Sequence, residues 1–133
     1  MAPLIKRIEN CETESWSSPP VEWWTLFSAD RTPTSELTVG IAHIPAGSLP
    51  PLRGHRHAPA ELYYFLSGKG HVSIDGEVAP VRAGDAVFIP GNSEHFAAND
   101  GDDVLSLLYV FAKDSFSDIT YEFPEESEKL GAS

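Results

Sequence analysis

Two histidines and a glutamate, His55, His57 and Glu61, form the pattern that most restricts how this chain can fold. On an extended strand, residues i and i+2 point to the same side, so the two imidazoles can face one point. The three residues between His57 and Glu61 are too few for a helix, and Pro59 disfavours a helical Ala58. The chain can therefore bend and return the Glu61 carboxylate to the same point. Two imidazoles and a carboxylate can bind a divalent metal and still leave room for a substrate.

A fourth metal ligand, His95, follows in the segment 84–95. This segment begins with a Gly-Asp turn, continues as a short apolar strand and ends in a Pro-Gly-Asn turn before the histidine. Val87, Phe88 and Ile89 form the apolar strand and are expected in the core. A third histidine placed behind such a turn strengthens the prediction of a metal site.

These residues resemble the two sequence motifs of the cupins. The first motif matches at His55, His57, Glu61 and Gly68, and the second at Gly84, Pro90, His95 and Asn99. Two positions depart from the pattern, because Leu49 and Asn92 stand where glycines are usual. Asn92 tolerates a left-handed turn better than other non-glycine residues. The resemblance implies an all-β fold, a jelly-roll barrel or double-stranded β-helix, with one divalent transition metal (Fe, Mn, Ni or Zn) held by His55, His57, Glu61 and His95.

A chain of 133 residues predicts a single domain, here 1–133. We expect the barrel core at 36–112, a loop over residues 1–20, a short strand over 116–124 and a mobile acidic tail at 125–133. The net charge of −11 argues against nucleic acid and anionic membranes as partners. One cysteine, the lack of a signal-peptide pattern and the lack of a long apolar run favour a cytoplasmic protein.

Several aromatic residues suggest where a small-molecule substrate would bind. If Glu61 faces the metal, strand periodicity puts Tyr63 and Phe65 on the same side. A phenol close to a divalent cation is favoured in its ionised form, so Tyr63 could act as a general base. Trp16, Trp23 and Trp24 either pack in the core and at interfaces, or one or two of them line the pocket, where their faces would attract a sulfonium or ammonium group; Trp23 and Trp24 are the candidates for substrate binding. The strand 104–111 is apolar on both faces, which suggests a homodimer interface.

A narrower resemblance, over most of the chain, is to the small single-cupin dimethylsulfoniopropionate lyases of marine bacteria. It rests on 59–63, 91–95 and 116–121, with the regions of Trp16 and Trp23 also similar. It implies that Tyr63 removes the α-proton of the substrate, that Tyr121 is a second active-site tyrosine, and that acrylate and dimethyl sulfide leave. Two alternatives stay open: another cupin enzyme, such as a metal-dependent dioxygenase or isomerase of a small acid or sugar, or a cupin that binds metal or ligand without catalysis.

Overall fold

The computed structural model describes residues 2–124, and their regular structure is almost entirely β, which confirms the predicted fold class. Nine strands follow in chain order: β1 Glu14–Ser17, β2 Pro20–Phe27, β3 Thr38–Ile44, β4 Glu61–Ser67, β5 Lys69–Ile74, β6 Glu77–Arg82, β7 Ala86–Ile89, β8 His95–Asn99 and β9 Leu105–Phe111. Two single-turn 3₁₀ helices lie at Ile8–Asn10 and Phe116–Asp118. Within this part of the chain, neither helix has the length or apolar character needed to cross a bilayer.

The strands form two antiparallel sheets. One has six strands in the order β1-β2-β3-β9-β4-β7, and the other has three in the order β6-β5-β8. Isolated bridges from His55 to His95 and from Arg56 to Glu122 extend the smaller sheet past β8. The core lies between the two sheets, where Phe65, Phe111 and Leu105 are fully buried.

Alternation along β4 and β7 separates the inside of the barrel from its outer face. Glu61, Tyr63 and Phe65 point inward, and the residues between them are exposed. Ile89 is buried, but Phe88 is 67% exposed, so the prediction that Phe88 belongs to the core was wrong. A strand with one solvated face buries only alternate residues. The homodimer expected across the second apolar face of the strand 104–111 remains a prediction.

Both ends of the chain differ from the expected secondary structure. Residues 14–17 form strand β1, which pairs with β2 in a hairpin instead of belonging to a loop. Residues 116–124 contain a 3₁₀ helix and a single bridge at Glu122, not a continuous strand. The Ser115 side chain accepts a hydrogen bond from the Ser117 backbone amide and so caps that helix. The expected acidic tail at 125–133 lies outside the described residues.

Candidate metal centre

Backbone pairing brings the metal-binding candidates together from three parts of the chain. His55 and His95 exchange two backbone hydrogen bonds of 3.0 and 2.9 Å, which places the end of a loop beside the start of β8. Gly54 permits this close approach, because a Cβ there would lie 2.2 Å from the His95 carbonyl oxygen. Asn92 has a φ of 63°, and its backbone N–H donates to the His57 carbonyl oxygen at 2.8 Å. Glu61 opens β4, which is paired on both sides.

The side chains of these residues converge on one buried point. One ring nitrogen from each of His55, His57 and His95 lies within 4.8 Å of the others. A carboxylate oxygen of Glu61, Oε1, lies 3.2 Å from Nε2 of His57 and 3.2 Å from Nε2 of His95. His57, Glu61 and His95 are only 2%, 4% and 1% exposed. The structure thus assembles all four residues that the sequence placed at the metal.

The second ring nitrogens of two histidines are held by backbone carbonyls. Nδ1 of His57 lies 2.9 Å from the Pro59 oxygen, and Nδ1 of His95 lies 2.8 Å from the Ser93 oxygen. A carbonyl only accepts hydrogen bonds, so each Nδ1 carries a proton, and Nε2 is the ring nitrogen left to bind a metal. Such outer contacts fix the tautomer and ring orientation of histidines that bind metals.

The Nε2 atoms of His57 and His95 therefore face the same carboxylate oxygen of Glu61. Electron-rich atoms at this distance repel one another unless a cation or a proton lies between them. Burial lowers the pKa of His55 well below its usual value, and the neighbouring His95 and His57 lower it further. His55 consequently also offers a neutral ring with a lone pair. The three histidines can hold a metal ion, and imidazoles together with a carboxylate suit a divalent transition metal.

A cavity of about 140 Å³ opens from this point. His55 and Glu61 form one part of its wall, and Tyr63 and Tyr121 lie beside them. The Tyr63 ring centroid is 6.2 Å from that of His95, and the Tyr121 centroid is 5.0 Å from those of both His55 and His57. Burial raises the pKa of both phenols well above the usual value, and the Glu61 carboxylate adds to the rise. Without a cation nearby, both phenols are protonated at neutral pH.

The structure separates the three residues predicted to contact a substrate. Trp23 lines the cavity. Trp24 does not: it is on the other face of β2, where its indole N–H donates to the Thr13 hydroxyl at 2.8 Å and its ring packs against His43. Phe65 is fully buried in the core beyond Tyr63 and also lies away from the cavity wall. Of the three predicted substrate-binding residues, Trp24 and Phe65 thus lie outside the cavity wall that Trp23 borders.

Several aromatic residues of the cavity wall were missed as candidate site residues. They are Phe96, Tyr109, Phe116 and Phe123. Trp16, predicted to lie either in the core or at the pocket, also lines the cavity and lies on β1. The turn residues Ser18 and Pro19 join β1 to β2, and the resulting pairing puts the Trp16 and Trp23 rings on one face of the hairpin.

Comparison with known proteins supports the fold and identifies relatives of this chain. The Cupin domain family profile matches residues 40–111. The dimethylsulfoniopropionate lyase DddW of Ruegeria pomeroyi is 41% identical over 103 residues, which cover 77% of this chain and 66% of the lyase. The oxalate decarboxylase OxdC of Bacillus subtilis is 28% identical over 101 residues, covering 72% of this chain and 25% of that enzyme. The chain thus spans about two-thirds of the first relative and a quarter of the second.

Solved structures share the same architecture. A predicted oxalate decarboxylase of Thermotoga maritima superimposes with a TM-score of 0.69 at 26% identity, covering 83% of this chain and 99% of that protein. A cupin of Shewanella frigidimarina gives a TM-score of 0.66 at 23% identity, covering 88% of this chain and 96% of that one. This second likeness concerns the fold alone.

Proposed function

Because the chain belongs to the cupin family, we propose that its metal centre serves a β-eliminating lyase that acts on a small carboxylate. The proposed substrate is dimethylsulfoniopropionate, which would be split into acrylate and dimethyl sulfide. One observation carries the proposal: metal-binding side chains, two buried phenols and an aromatic wall border the same cavity. The 41% identity to the Ruegeria dimethylsulfoniopropionate lyase supports this reaction as the one that the arrangement performs.

The cavity has the size of a small substrate. An apolar cavity of about 150 Å³ holds a benzene molecule. The volume of about 140 Å³ therefore suits dimethylsulfoniopropionate, which has eight non-hydrogen atoms, better than a sugar or a nucleotide. We place the substrate carboxylate at the end with His55 and Glu61, and the sulfonium group among the aromatic rings. Ring faces attract such a cation electrostatically.

Tyr63 is the proposed base. It follows Glu61 by two residues on the inner face of β4, so its phenol borders the carbon next to the substrate carboxylate. A divalent cation held by His55, His57, Glu61 and His95 would supply positive charge that favours the phenolate and stabilises the enolate-like charge of the transition state.

The reaction then balances without a further reagent. The phenolate of Tyr63 takes the α-proton, and the electron pair of the broken C–H bond forms the carbon–carbon double bond. The β-carbon–sulfur bond breaks, and sulfur leaves as neutral dimethyl sulfide with the bonding pair. Tyr121 lies on the opposite side, against His55 and His57, where its phenol can donate a hydrogen bond to the substrate carboxylate.

Headspace chromatography of dimethyl sulfide tests this proposal. The metal-free protein is reloaded separately with Fe²⁺, Mn²⁺, Ni²⁺ or Zn²⁺ and incubated with dimethylsulfoniopropionate. We expect release with at least one metal and none with the chelated protein. Oxalate serves as the comparison substrate because an oxalate decarboxylase is also related. Release of carbon dioxide from oxalate, without dimethyl sulfide from the first substrate, would favour the other cupin enzymes. If neither substrate gives a product, a protein that binds metal or ligand without catalysis would be favoured.

A further inference from the structure

We propose that Trp16 determines substrate specificity, as the central ring of an aromatic cage that recognises a methylated onium group. The cage is Trp16, Trp23, Tyr121 and Phe123. This proposal rests on the function proposed above, which places the substrate carboxylate beside His55 and Glu61. Tyr121 borders both groups, because its ring packs against Trp16 and lies 5.0 Å from that of His55. The ligand class that follows is the small carboxylates that carry a trimethylammonium or dimethylsulfonium group two carbons away.

Trp16 contacts all three other rings of the cage. Its centroid lies 5.3 Å from that of Trp23, and 5.5 Å from those of Tyr121 and Phe123. The planes of these three rings cross that of Trp16 at 70°, 87° and 73°, while Tyr121 and Phe123 lie nearly parallel to each other, at 21° and 6.1 Å. Trp16 thus meets its neighbours edge to face, and the onium group would lie against the ring surfaces that face the cavity. All four rings border the cavity that also reaches His55 and Glu61.

The hairpin of β1 and β2 holds Trp16 in this position. Trp16 pairs with Val21 and Glu14 pairs with Trp23, so these four side chains project from one face of the hairpin. Trp16 and Trp23 are diagonal neighbours on that face, within reach of two aromatic rings. Trp24, the next residue along β2, projects from the other face and contacts His43 instead.

The charge of the cavity wall matches a methylated cation. Among the described residues that line the cavity, Glu61 is the one carboxylate, and it belongs to the metal-binding end. Arg53 also borders the cavity, but its guanidinium is paired with Glu94 at 2.8 Å. A primary ammonium would need hydrogen-bond acceptors that the rings lack, because an unpartnered buried donor is costly. A methylated onium donates no hydrogen bonds and is attracted by ring faces.

A pair of ligands with the same shape isolates the effect of the charge. The first, 3-(trimethylammonio)propanoate, is cationic at one end, and the second, 4,4-dimethylpentanoate, has a neutral carbon in place of nitrogen. Isothermal titration of the Zn²⁺-loaded protein gives both dissociation constants. We expect the cationic ligand to bind about 3- to 30-fold more tightly than the neutral one. β-Alanine, with a primary ammonium, should bind more weakly than either.

Substitutions of two tryptophans assign the selectivity to the cage. Trp16→Leu keeps an apolar side chain but removes the ring face, so the ratio of the two dissociation constants should fall to near one. Trp24→Leu is the matched control, on the opposite face of the next strand, and should keep the ratio. Trp16→Phe retains a ring and should restore part of it. Circular dichroism checks that each variant is folded.

A wild-type ratio near one would overturn the proposal, as would an unchanged ratio in folded Trp16→Leu. If Trp16→Leu does not fold, an undiminished ratio in Trp16→Phe together with a reduced ratio in Trp24→Leu would also overturn it. The titration is independent of turnover. If dimethyl sulfide is released but the ratio of the two dissociation constants is near one, the lyase proposal is supported and the cage is refuted. A high ratio without dimethyl sulfide would support the cage and refute the lyase.

Discussion

Adding a divalent transition metal to the metal-free protein should raise its melting temperature by about 10 °C. A buried carboxylate oxygen of Glu61 lies 3.2 Å from Nε2 of both His57 and His95, and unfolding would disperse this ligand set and release a bound cation. A metal at 100 times its dissociation constant stabilises the native state by about 2.7 kcal/mol. With an unfolding entropy of roughly 2.1 cal/mol/K per residue, the 133 residues give about 0.28 kcal/mol/K. The ratio of these two quantities is the expected shift.

Glu61→Gln should nearly abolish this shift. Removing a residue that only hydrogen-bonds to a metal ligand already lowers the affinity for the metal about 10- to 100-fold. Losing the carboxylate itself should therefore reduce the shift at the same metal concentration to roughly 2 °C. The metal-free variant should remain folded, because the introduced amide has nearly the same shape as the carboxylate and carries no buried charge.

Thermal unfolding followed by circular dichroism, in chelator and in ZnCl₂, measures both quantities. His43→Gln is the control, since His43 lies outside the metal-binding set and packs against Trp24. It should keep the full shift. A full shift in Glu61→Gln, or its loss in His43→Gln, would refute the assignment of the metal to Glu61 and its three histidines.

Three further predictions concern the base, the core and acid stability. Tyr63→Phe should lower kcat for dimethyl sulfide release about 10²- to 10⁴-fold. The variant should preserve the metal-induced rise in melting temperature. A fully active variant would exclude Tyr63 as the base. Gly40→Ala should cost about 1–3 kcal/mol in urea unfolding, because the new Cβ would lie 2.2 Å from the Tyr109 hydroxyl, and an unchanged midpoint would contradict that clash. Arg31 binds Glu14 through contacts of 2.7 and 3.0 Å and holds the pKa of Glu14 below its usual 4.5. This lowered pKa contributes stability that is present above pH 4.5 and is lost as the pH falls through the lower, folded-state pKa. In urea unfolding at pH 7 and pH 3, Arg31→Leu should therefore lose less stability on acidification than the wild type, and equal losses would contradict the coupling.

The metal-binding set could be predicted because its geometry is mostly local. Two histidines separated by one residue share a face of an extended segment, and the short bend to Glu61 leaves few other paths. His95 depends on pairing with His55 across the smaller sheet. Here the turn residues before His95 supplied the signal, since Asn92 adopts the left-handed conformation that the turn requires.

The cavity wall could be predicted only in part, because tertiary pairing decides which face of a strand is buried. Trp23 and Trp24 are adjacent and equally aromatic, so sequence alone could not choose between them. Pairing of β2 with β1 turns Trp23 inward. Phe65 shares a face with Glu61 as expected, but two strand steps, roughly 13 Å, carry it past the cavity into the core.

The ends of the chain were the least predictable parts of the fold. Trp16 reaches the cavity only because a short hairpin forms, and a four-residue strand has almost no periodicity to detect. Tyr121 and Phe123 are held there by the bridge between Arg56 and Glu122. That contact joins residues far apart in sequence and leaves no local pattern.

Proton NMR of the products from the metal-loaded protein and dimethylsulfoniopropionate tests the central claim most directly. Elimination by removal of the α-proton predicts acrylate and dimethyl sulfide in equal amounts, with vinyl signals growing as the sulfonium methyl signal decays. Displacement of the sulfide by water would give 3-hydroxypropionate in place of acrylate. That product, or an unchanged substrate spectrum with every metal, would contradict the proposed lyase.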